Sequence, residues 1–283
     1  MGFVATSVET VHVASLSIYP VKSTRGRDVA AAVVELWGLA GDRRFMVVDA
    51  AGRHLTAREE PRLLSVSASL DGHSGLILHG PHADPVAVRS DGQPPTMVRI
   101  WADEVPAHPV GQVADTWFST LLGRTVRLVW LGDPALRPVN PAYGEVGDTV
   151  TFADAYPLLL TASASLRQLN DWITVTALER GDSDPQPLPM RRFRPSVVVA
   201  TTAPFCEDAW QRLRVGAVEF RVAKGCDRCV LTTIDPDTLV KGVEPIRTLA
   251  RHRKWNGKVW FGINLIPTGT GTIRVGDDVG VQA

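Results

Sequence analysis

The stretch Val11-His12-Val13-Ala14-Ser15-Leu16-Ser17-Ile18 is the first of several short runs rich in apolar and β-branched residues. Such runs, bounded by turn residues, are typical of β-strands. In the first hundred positions they recur at Val29–Leu36, Arg44–Val48, Leu76–Leu78 and Thr96–Ile100. Because Asp and Gly residues that suit tight turns separate these runs, we expect compact hairpins in a barrel-like lobe.

The pattern changes after this β-rich region. Residues Gln112–Leu122 carry apolar side chains at helical spacing, and Gly123 follows as a stop signal, so we predict an amphipathic helix. A strand is predicted at Arg127–Leu131. The segment Gly132–Gly147 is rich in Pro and Gly and is predicted to be an extended loop, which makes it a candidate boundary between two lobes.

The second half is also predicted to be β-rich, with inserted helices. Ser163 is expected to cap a helix over Ala164–Trp172, and a polar loop follows at Gly181–Pro189. Strands are predicted at Leu158–Leu160, Ser196–Ala200, Leu213–Val215, Val218–Val222, Val230–Ile234 and Ile273–Val275. The expected fold class is therefore α+β and β-rich.

Composition limits the possible functions. The 283 residues contain 30 Lys and Arg against 30 Asp and Glu, so no net charge draws the chain to nucleic acid. No apolar stretch approaches the length of a membrane span, and the amino terminus lacks a signal-peptide pattern. Three cysteines, an odd number, do not resemble a disulfide framework. These features indicate a soluble, cytoplasmic protein with neither nucleic acid nor membrane as a partner.

Two of the three cysteines lie close together in Lys224-Gly225-Cys226-Asp227-Arg228-Cys229. A thiolate is a soft metal ligand and a nucleophile, and neighbouring positive charge favours it. Lys224 and Arg228 provide such charge. We therefore expect the chemistry of the protein to be concentrated in this segment.

Several interpretations of the cysteine pair are open. A structural zinc site would need two further ligands, but Cys206 is alone and the seven histidines show no paired spacing. A thioredoxin-like dithiol normally lies at a strand-to-helix turn, whereas Val230–Ile234 is predicted to be a strand. Both cysteines could also be small buried residues. A single thiolate that completes the coordination of a cofactor-bound metal needs only one of them.

Three further segments place cations beside predicted strand ends. They are Tyr19-Pro20-Val21-Lys22-Ser23, Gly41-Asp42-Arg43-Arg44-Phe45 and Arg191-Arg192-Phe193-Arg194-Pro195-Ser196. The guanidinium group of arginine suits phosphate or carboxylate, and lysine beside a hydroxyl can hold an anionic oxygen. Together with the cysteine pair, these segments suggest a phosphorylated cofactor that carries a soft metal.

These segments also carry a family resemblance. They occur in order with Thr56-Ala57-Arg58, Glu60-Pro61-Arg62 and Val275-Gly276-Asp277, and together they span almost the whole chain. The chain resembles the molybdenum cofactor sulfurase C-terminal (MOSC) family, in particular its amidoxime-reducing members, mitochondrial and bacterial. The resemblance implies an N-terminal MOSC β-barrel domain over residues 8–125, packed on a β-barrel MOSC domain with a few helices over residues 126–283.

The resemblance also implies a set of site residues for a molybdenum cofactor, Mo-molybdopterin. Cys229 matches the cysteine that ligates molybdenum, whereas Cys226 is not a required ligand. The positions that match cofactor-contacting residues of the family are Lys22, Ser23, Arg43, Thr161, Ser163, Arg194, Cys226, Asp227, Arg228 and Asn264. Two positions depart from the family pattern, since Ser196 and Ile263 stand where Asn and Gln are common. The resemblance therefore does not extend to the cofactor contacts near these two positions.

The expected function is reduction of N-oxygenated compounds such as amidoximes, hydroxylamines and N-oxides at molybdenum. The sequence ends soon after Val275-Gly276-Asp277 without the cysteine cluster of a ferredoxin-like domain, so we expect a separate flavin, haem or iron–sulfur protein as electron donor. The alternative is a protein that binds or carries the molybdenum cofactor or transfers its sulfur.

Overall fold

The computed structural model describes residues 11–81, 83–90 and 92–282. Strands outnumber helices in both halves of this described part, which confirms the β-rich α+β class. Residues 8–10, with which the first expected domain begins, lie outside the described residues. No helix in the described ranges is long and apolar enough to cross a membrane.

The described residues form three α-helices and a larger number of strands. The helices are α1 (Gln112–Leu122), α2 (Ser163–Glu179) and α3 (Ile246–His252). The strands are β1 (His12–Ile18), β2 (Arg27–Val29), β3 (Ala31–Glu35), β4 (Gly38–Leu39), β5 (Phe45–Asp49), β6 (Ser67–Leu70), β7 (Gly75–Gly80), β8 (Ala83–Arg89), β9 (Thr96–Ile100), β10 (Asp103–Pro109), β11 (Val126–Trp130), β12 (Leu158–Ala162), β13 (Val197–Ala200), β14 (Arg212–Val215), β15 (Val218–Asp227), β16 (Lys254–Trp255), β17 (Lys258–Pro267), β18 (Gly271–Arg274) and β19 (Val279–Gln282).

These strands form one large sheet and three small ones. The large sheet has the order β19-β14-β15-β17-β12-β13-β1-β2, with β16 added to β17. The smaller sheets are β5-β11-β10-β9, β18-β3-β4 and β6-β7-β8. Each order has two ends, so within the described residues no sheet closes on itself as a barrel. The sheets are open, and β2 at one edge is only three residues long, which limits its pairing with another chain.

The amino-terminal strands pair with strands from the second half. β1 is antiparallel to β13, with Leu16 opposite Val197, and β3 is antiparallel to β18, with Val33 opposite Thr272. Leu16 and Val197 are buried in one hydrophobic cluster with residues of β12 and β17. The chain that leaves β1 is thus fixed where the two halves meet.

A second hydrophobic cluster joins β5, β11 and α1, with Phe45, Phe118 and Leu128 fully buried. Helix α1 has both ends as predicted from the sequence. It ends at Gly123, whose φ of 63° is left-handed and whose N–H donates to the carbonyl of Ser119. Glycine adopts this conformation without a steric cost, so the stop signal has a direct cause.

Two local predictions are wrong. Residues Val230–Thr233 form a 3₁₀ helix, where a strand was predicted, because the hydroxyls of Thr232 and Thr233 donate to carbonyls three residues earlier. Ser163 is the first residue of α2 and not its cap, and Ala162 caps the helix without a side-chain hydrogen bond. The sequence also gave no prediction of β17 or α3.

Candidate cofactor site

A cavity of about 630 Å³ lies where the chain leaving β1, the loop before β12 and the end of β15 come together. Nine of the eleven predicted site residues line it, from both ends of the sequence: Lys22, Ser23, Arg43, Arg194, Cys226, Asp227, Arg228, Cys229 and Asn264. A volume of this size is ordinary for a small-molecule or cofactor site. The fold therefore brings most of the predicted residues to one place.

Thr161 and Ser163 are not among the residues that line this cavity. The hydroxyl of Thr161 is fully buried and donates to the sulfur of Met190 at 3.2 Å. The hydroxyl of Ser163 accepts from Arg167 at 3.2 Å and from the N–H of Thr201 at 3.4 Å. A cofactor contact of these two hydroxyls stays a prediction.

Unusual backbone conformations cluster at the cavity. Ser23, Arg43, Trp101 and Arg194 have φ values of 69°, 48°, 53° and 56°, and all four line the cavity. A left-handed conformation is uncommon for residues other than glycine, above all for bulky ones. Strain of this kind persists where surrounding structure enforces it, and it concentrates at functional sites.

The two arginines of this group hold one tyrosine between them. The guanidinium carbons of Arg43 and Arg194 lie 4.3 and 4.4 Å from the centroid of the Tyr19 ring. Arg43 donates to the carbonyl of Arg194 at 3.2 Å, and Arg194 donates to the carbonyl of Thr24 at 2.6 Å. Burial lowers the pKa of Arg194 to about 10, so the side chain stays charged at neutral pH. Two cations are thus fixed close together at the cavity wall.

A buried carboxylate orients this pair. Asp42 is 1% exposed, forms an ion pair with Arg43, and accepts the backbone N–H of Tyr19 at 2.7 Å. A buried charge is tolerated when it is paired and hydrogen-bonded, and both conditions are met here. Asp42 therefore links the position of Arg43 to that of the stacked tyrosine.

A second ion pair lies beside it. Lys22 donates to the carbonyl of Phe152 at 2.9 Å and forms an ion pair with Asp154, which also contacts Arg58 at 3.2 Å. Burial lowers the pKa of Lys22 to about 8, although Asp154 opposes the shift. Burial opposes ionisation of Asp154 as well, but Lys22 and Arg58 hold the pKa of that carboxyl well below its usual range. The charge of Lys22 is therefore sensitive to pH near neutrality.

The two cysteines have different surroundings. Arg228 donates to the sulfur of Cys226 at 2.8 Å and to the carbonyl of Phe193 at 2.7 Å. Burial raises the pKa of the Cys226 thiol, and Arg228 opposes this. Cys229 lines the cavity directly before the 3₁₀ helix, and its carbonyl accepts the N–H and the hydroxyl of Thr232. The two thiols are thus not equivalent.

The lining residues fit a phosphorylated cofactor with a soft metal. Seven Lys or Arg side chains line the cavity, against two Asp side chains. The Nε atoms of Arg58 and Arg228 are buried and have no hydrogen-bond partner in the described structure. Cations suit phosphate, and a thiolate suits molybdenum. In the described ranges, no group of three or more His, Cys, Asp or Glu side chains could hold a metal ion by itself.

The two residues that depart from the family pattern, Ser196 and Ile263, lie in different surroundings. Ile263 is 1% exposed, belongs to the core cluster of the large sheet and does not line the cavity. The hydroxyl of Ser196 is 3.4 Å from a guanidinium nitrogen of Arg43. The side chain of Ser196 therefore reaches a residue of the cavity wall, whereas that of Ile263 is packed in the core.

Sequence reasoning missed several residues of the wall. Trp101, Tyr143 and Asp154 line the cavity, and none lies in a segment to which the sequence assigns cofactor contacts. Asp154 follows a Pro- and Gly-rich loop and pairs with Lys22 over 132 positions, which no local pattern indicates. A tryptophan at a hairpin turn, as at Trp101, is a signal that could have been found.

Comparison with known proteins now decides the family. Residues 10–125 match the MOSC N-terminal beta barrel domain, and residues 147–280 match the MOSC domain. The chain belongs to the MOSC family. It is 32% identical to mitochondrial amidoxime-reducing component 1 of Homo sapiens, over 94% of this chain and 82% of that protein.

Two other relatives have similar sequence identity to this chain. Mitochondrial amidoxime reducing component 2 of Macaca fascicularis is 34% identical over 94% of this MOSC chain and 82% of its own length. A molybdenum cofactor sulfurase of Oryza sativa subsp. japonica is 30% identical over 92% of this chain but only 33% of its own. The relatives of this chain thus include proteins named for amidoxime reduction and for the molybdenum cofactor.

Proposed function

We propose that this MOSC protein is a molybdenum-cofactor-dependent reductase of N-oxygenated compounds such as amidoximes, hydroxylamines and N-oxides. The observation that carries the proposal is one cavity shared by Cys229 and the cations Lys22, Arg43 and Arg194. Similarity to proteins named amidoxime-reducing components supports the choice of reaction.

In this proposal each part of the cavity wall has a task. Cys229 provides the thiolate that ligates molybdenum, and Lys22, Ser23, Arg43 and Arg194 hold the pterin and its phosphate. Asp42 keeps Arg43 in place, as its ion pair indicates. When bound, the cofactor supplies two-electron removal of oxygen from the substrate. The protein orients the cofactor and stabilises its charge.

A further part of the wall is formed by the end of β15 and by β17. Cys226, Asp227 and Arg228 line the cavity on β15 and just beyond it, and the amide of Asn264 donates to the carbonyl of Gly225 at 3.3 Å. This hydrogen bond joins the two strands beside the cavity. We assign to these residues contacts with the pterin part of the cofactor.

The electrons come, in this proposal, from a separate flavin, haem or iron–sulfur protein. Reduction of an amidoxime consumes two electrons and two protons, breaks the N–O bond, and releases an amidine and water. The sequence has three cysteines, one of which is assigned to molybdenum, whereas an iron–sulfur cluster generally takes four thiolates. The described cysteines form no disulfide, which fits the reducing cytoplasm that we propose as the location.

A second candidate is a cofactor carrier or sulfur-transfer protein, in which Cys229 would be a carrier thiol. The observation in its favour is the match of almost the whole chain to a molybdenum cofactor sulfurase. The two candidates differ in turnover, since only the reductase releases an amidine from an amidoxime.

The test is an assay of benzamidoxime reduction with a chemical electron donor, after expression in a host that makes the cofactor. The reductase proposal expects turnover by the wild type and by Cys226→Ala, and its loss in Cys229→Ala. Full activity of Cys229→Ala, or stoichiometric zinc in place of molybdenum, would overturn it. Cofactor content without any turnover would favour the carrier.

A further inference from the structure

Trp101 is the least expected residue of the cavity wall. It occupies the first position of the two-residue turn between β9 and β10, since Ile100 pairs with Asp103. Its φ of 53° is left-handed, and turns with this conformation at the first central position favour glycine. A bulky residue here strains the backbone. Turn formation alone therefore does not account for a tryptophan at this position.

Packing of the core does not account for it either. The side chain is 40% exposed and belongs to none of the hydrophobic clusters of the described residues. It lines the candidate cofactor cavity instead. A strained, exposed, aromatic side chain at a cavity indicates contact with a ligand.

Neighbouring side chains hold the indole in one orientation. The ring of His54 packs edge-on against it, with centroids 4.4 Å apart at 68°. The guanidinium carbon of Arg58 lies 4.6 Å from the indole centroid, and the Lys22 ammonium lies 5.7 Å from it. A ring fixed by such contacts offers a stacking surface without a large loss of side-chain entropy.

A second aromatic–cation pair lines the same cavity. Tyr143 is 48% exposed, and the Lys224 ammonium lies 4.8 Å from its ring. Trp101 and Tyr143 are thus both exposed rings at the cavity, and each has a neighbouring cation. Planar groups stack well on such rings, whereas a small aliphatic molecule has little surface to contact.

We infer that Trp101 is a specificity residue that stacks on the planar, conjugated part of the substrate and makes aromatic N-hydroxylated compounds preferred over small ones. This inference rests on the proposed reductase function. Ring stacking contributes about 0.5–1.5 kcal/mol, which corresponds to roughly a twofold to tenfold change in affinity. The effect should appear with an aromatic substrate and disappear with one that has no ring.

The test compares benzamidoxime with hydroxylamine for the wild type, Trp101→Asn and Trp101→Phe. Asparagine tolerates the left-handed turn without an aromatic ring, and phenylalanine retains a ring. We expect Trp101→Asn to raise the KM for benzamidoxime about fivefold, to leave that for hydroxylamine within about twofold, and to keep kcat for both. Trp101→Phe should recover most of the loss.

Two further measurements separate substrate contact from a structural role. The molybdenum content of Trp101→Asn should equal that of the wild type, because Trp101 contacts the substrate in this inference. The Tm should equal or exceed that of the wild type, because the turn strain is relieved. Calorimetric titration with benzamidoxime should show the same weakening as KM. The matched control is Trp255→Asn, since Trp255 is also exposed, at 43%, but does not line the cavity.

An equal rise of KM for both substrates, a loss of molybdenum from Trp101→Asn, or the same change in Trp255→Asn would each overturn the inference. A wild-type protein that loads the cofactor but reduces neither substrate would instead overturn the proposed function. The two failures are therefore distinguishable.

Discussion

The cation wall and the thiol wall of the cavity are built in different ways. The cation wall consists of Lys22, Arg43 and Arg194, with Tyr19 between the arginines. It is held by the ion pairs of Lys22 and Arg43, by ring stacking, and by left-handed backbone at Arg43 and Arg194. The thiol wall consists of Cys226 and Cys229, which are half-buried and lie at a strand end and before a 3₁₀ turn. Neighbouring residues thus orient the cations of one wall, whereas the other wall presents two cysteines to the cavity.

The two walls correspond to two tasks of the proposed function, which are binding a phosphate and ligating a metal. In the proposed function, binding phosphate requires charges that need no reorganisation. Ring stacking and the carboxylates of Asp42 and Asp154 offset the cost of burying these charges. Ligating a metal requires a sulfur that the cofactor can reach. Removing a counter-charge from the cation wall should therefore reduce stability, whereas substitutions in the thiol wall should change metal coordination.

The largest expected effect on stability is that of Asp42→Asn. It removes the counter-charge of Arg43 and leaves a cation buried without its partner, which costs about 3 kcal/mol. For a chain of this size, the Tm should fall by roughly 6–12 °C in a thermal unfolding scan. The control is Asp237→Asn, whose exposed ion pairs with Arg25 and Arg191 contribute about 1 kcal/mol or less. Equal Tm changes in both variants would refute the buried-pair account.

Next in size is Gly262→Ala, on the strand that carries Asn264. The φ of Gly262 is 78°, and an added Cβ would lie 2.6 Å from the carbonyl oxygen of Leu160. We expect a loss of about 2–3 kcal/mol in the free energy of unfolding, measured with urea. Gly257→Ala has a similar φ of 72° but nothing within 4 Å of its Cβ, so it should cost only about 1 kcal/mol. A difference near zero between the two would show that the close contact is not real.

Lys22 gives the cation wall a pH dependence. Since its pKa in the folded protein is about 8, the ammonium loses its charge above that pH, and affinity for sulfate should fall roughly fivefold between pH 7 and 9. Sulfate itself does not titrate in this range. Lys22→Arg stays protonated and should show a flat profile. A wild-type profile as flat as that of Lys22→Arg would contradict the shifted pKa.

The lowered pKa of Lys22 also makes the stability of the protein depend on pH. The ordinary pKa of lysine, 10.5, lies above the folded value of about 8, so the unfolded chain binds more protons between these two pH values. The contribution of Lys22 to stability therefore rises with pH through this window, and below about pH 8 its burial as a cation is unfavourable.

The smallest effect is expected for Ser196→Ala. Within the described structure, this hydroxyl meets the cation wall through its 3.4 Å approach to Arg43, which is long for a hydrogen bond. The free energy of unfolding should change by less than about 0.5 kcal/mol. A larger loss in urea unfolding would mean that the departure from the family pattern at this position supports the arginine.

In the first half, β1, β3, β5, β7, β9 and both ends of α1 were predicted, because their hydrophobic patterns are local, whereas β6, β8 and β10 were not. The 3₁₀ turn after Cys229 was not, because Val230-Leu231-Thr232-Thr233-Ile234 has a strand composition and its threonine hydroxyls decide otherwise. β17 has a glycine with positive φ in its middle, which interrupts the strand pattern.

The candidate site, like the fold, was predictable only in part. The sequence indicated Lys22, Arg43 and Cys229, since their residue types and motifs carry the chemistry. It did not indicate Asp154 or Trp101, because one is a distant ion-pair partner and the other is defined by backbone conformation. Local patterns predict which groups can react, and the tertiary fold determines which groups surround them.

The central claim is that Cys229, and not Cys226, is the protein ligand of molybdenum. The most direct measurement is molybdenum K-edge X-ray absorption of the wild type, Cys229→Ala and Cys226→Ala, which counts the sulfur atoms bound to the metal. The account predicts one sulfur fewer in Cys229→Ala and no change in Cys226→Ala. An unchanged sulfur count in Cys229→Ala, or a lower one in Cys226→Ala, would contradict it.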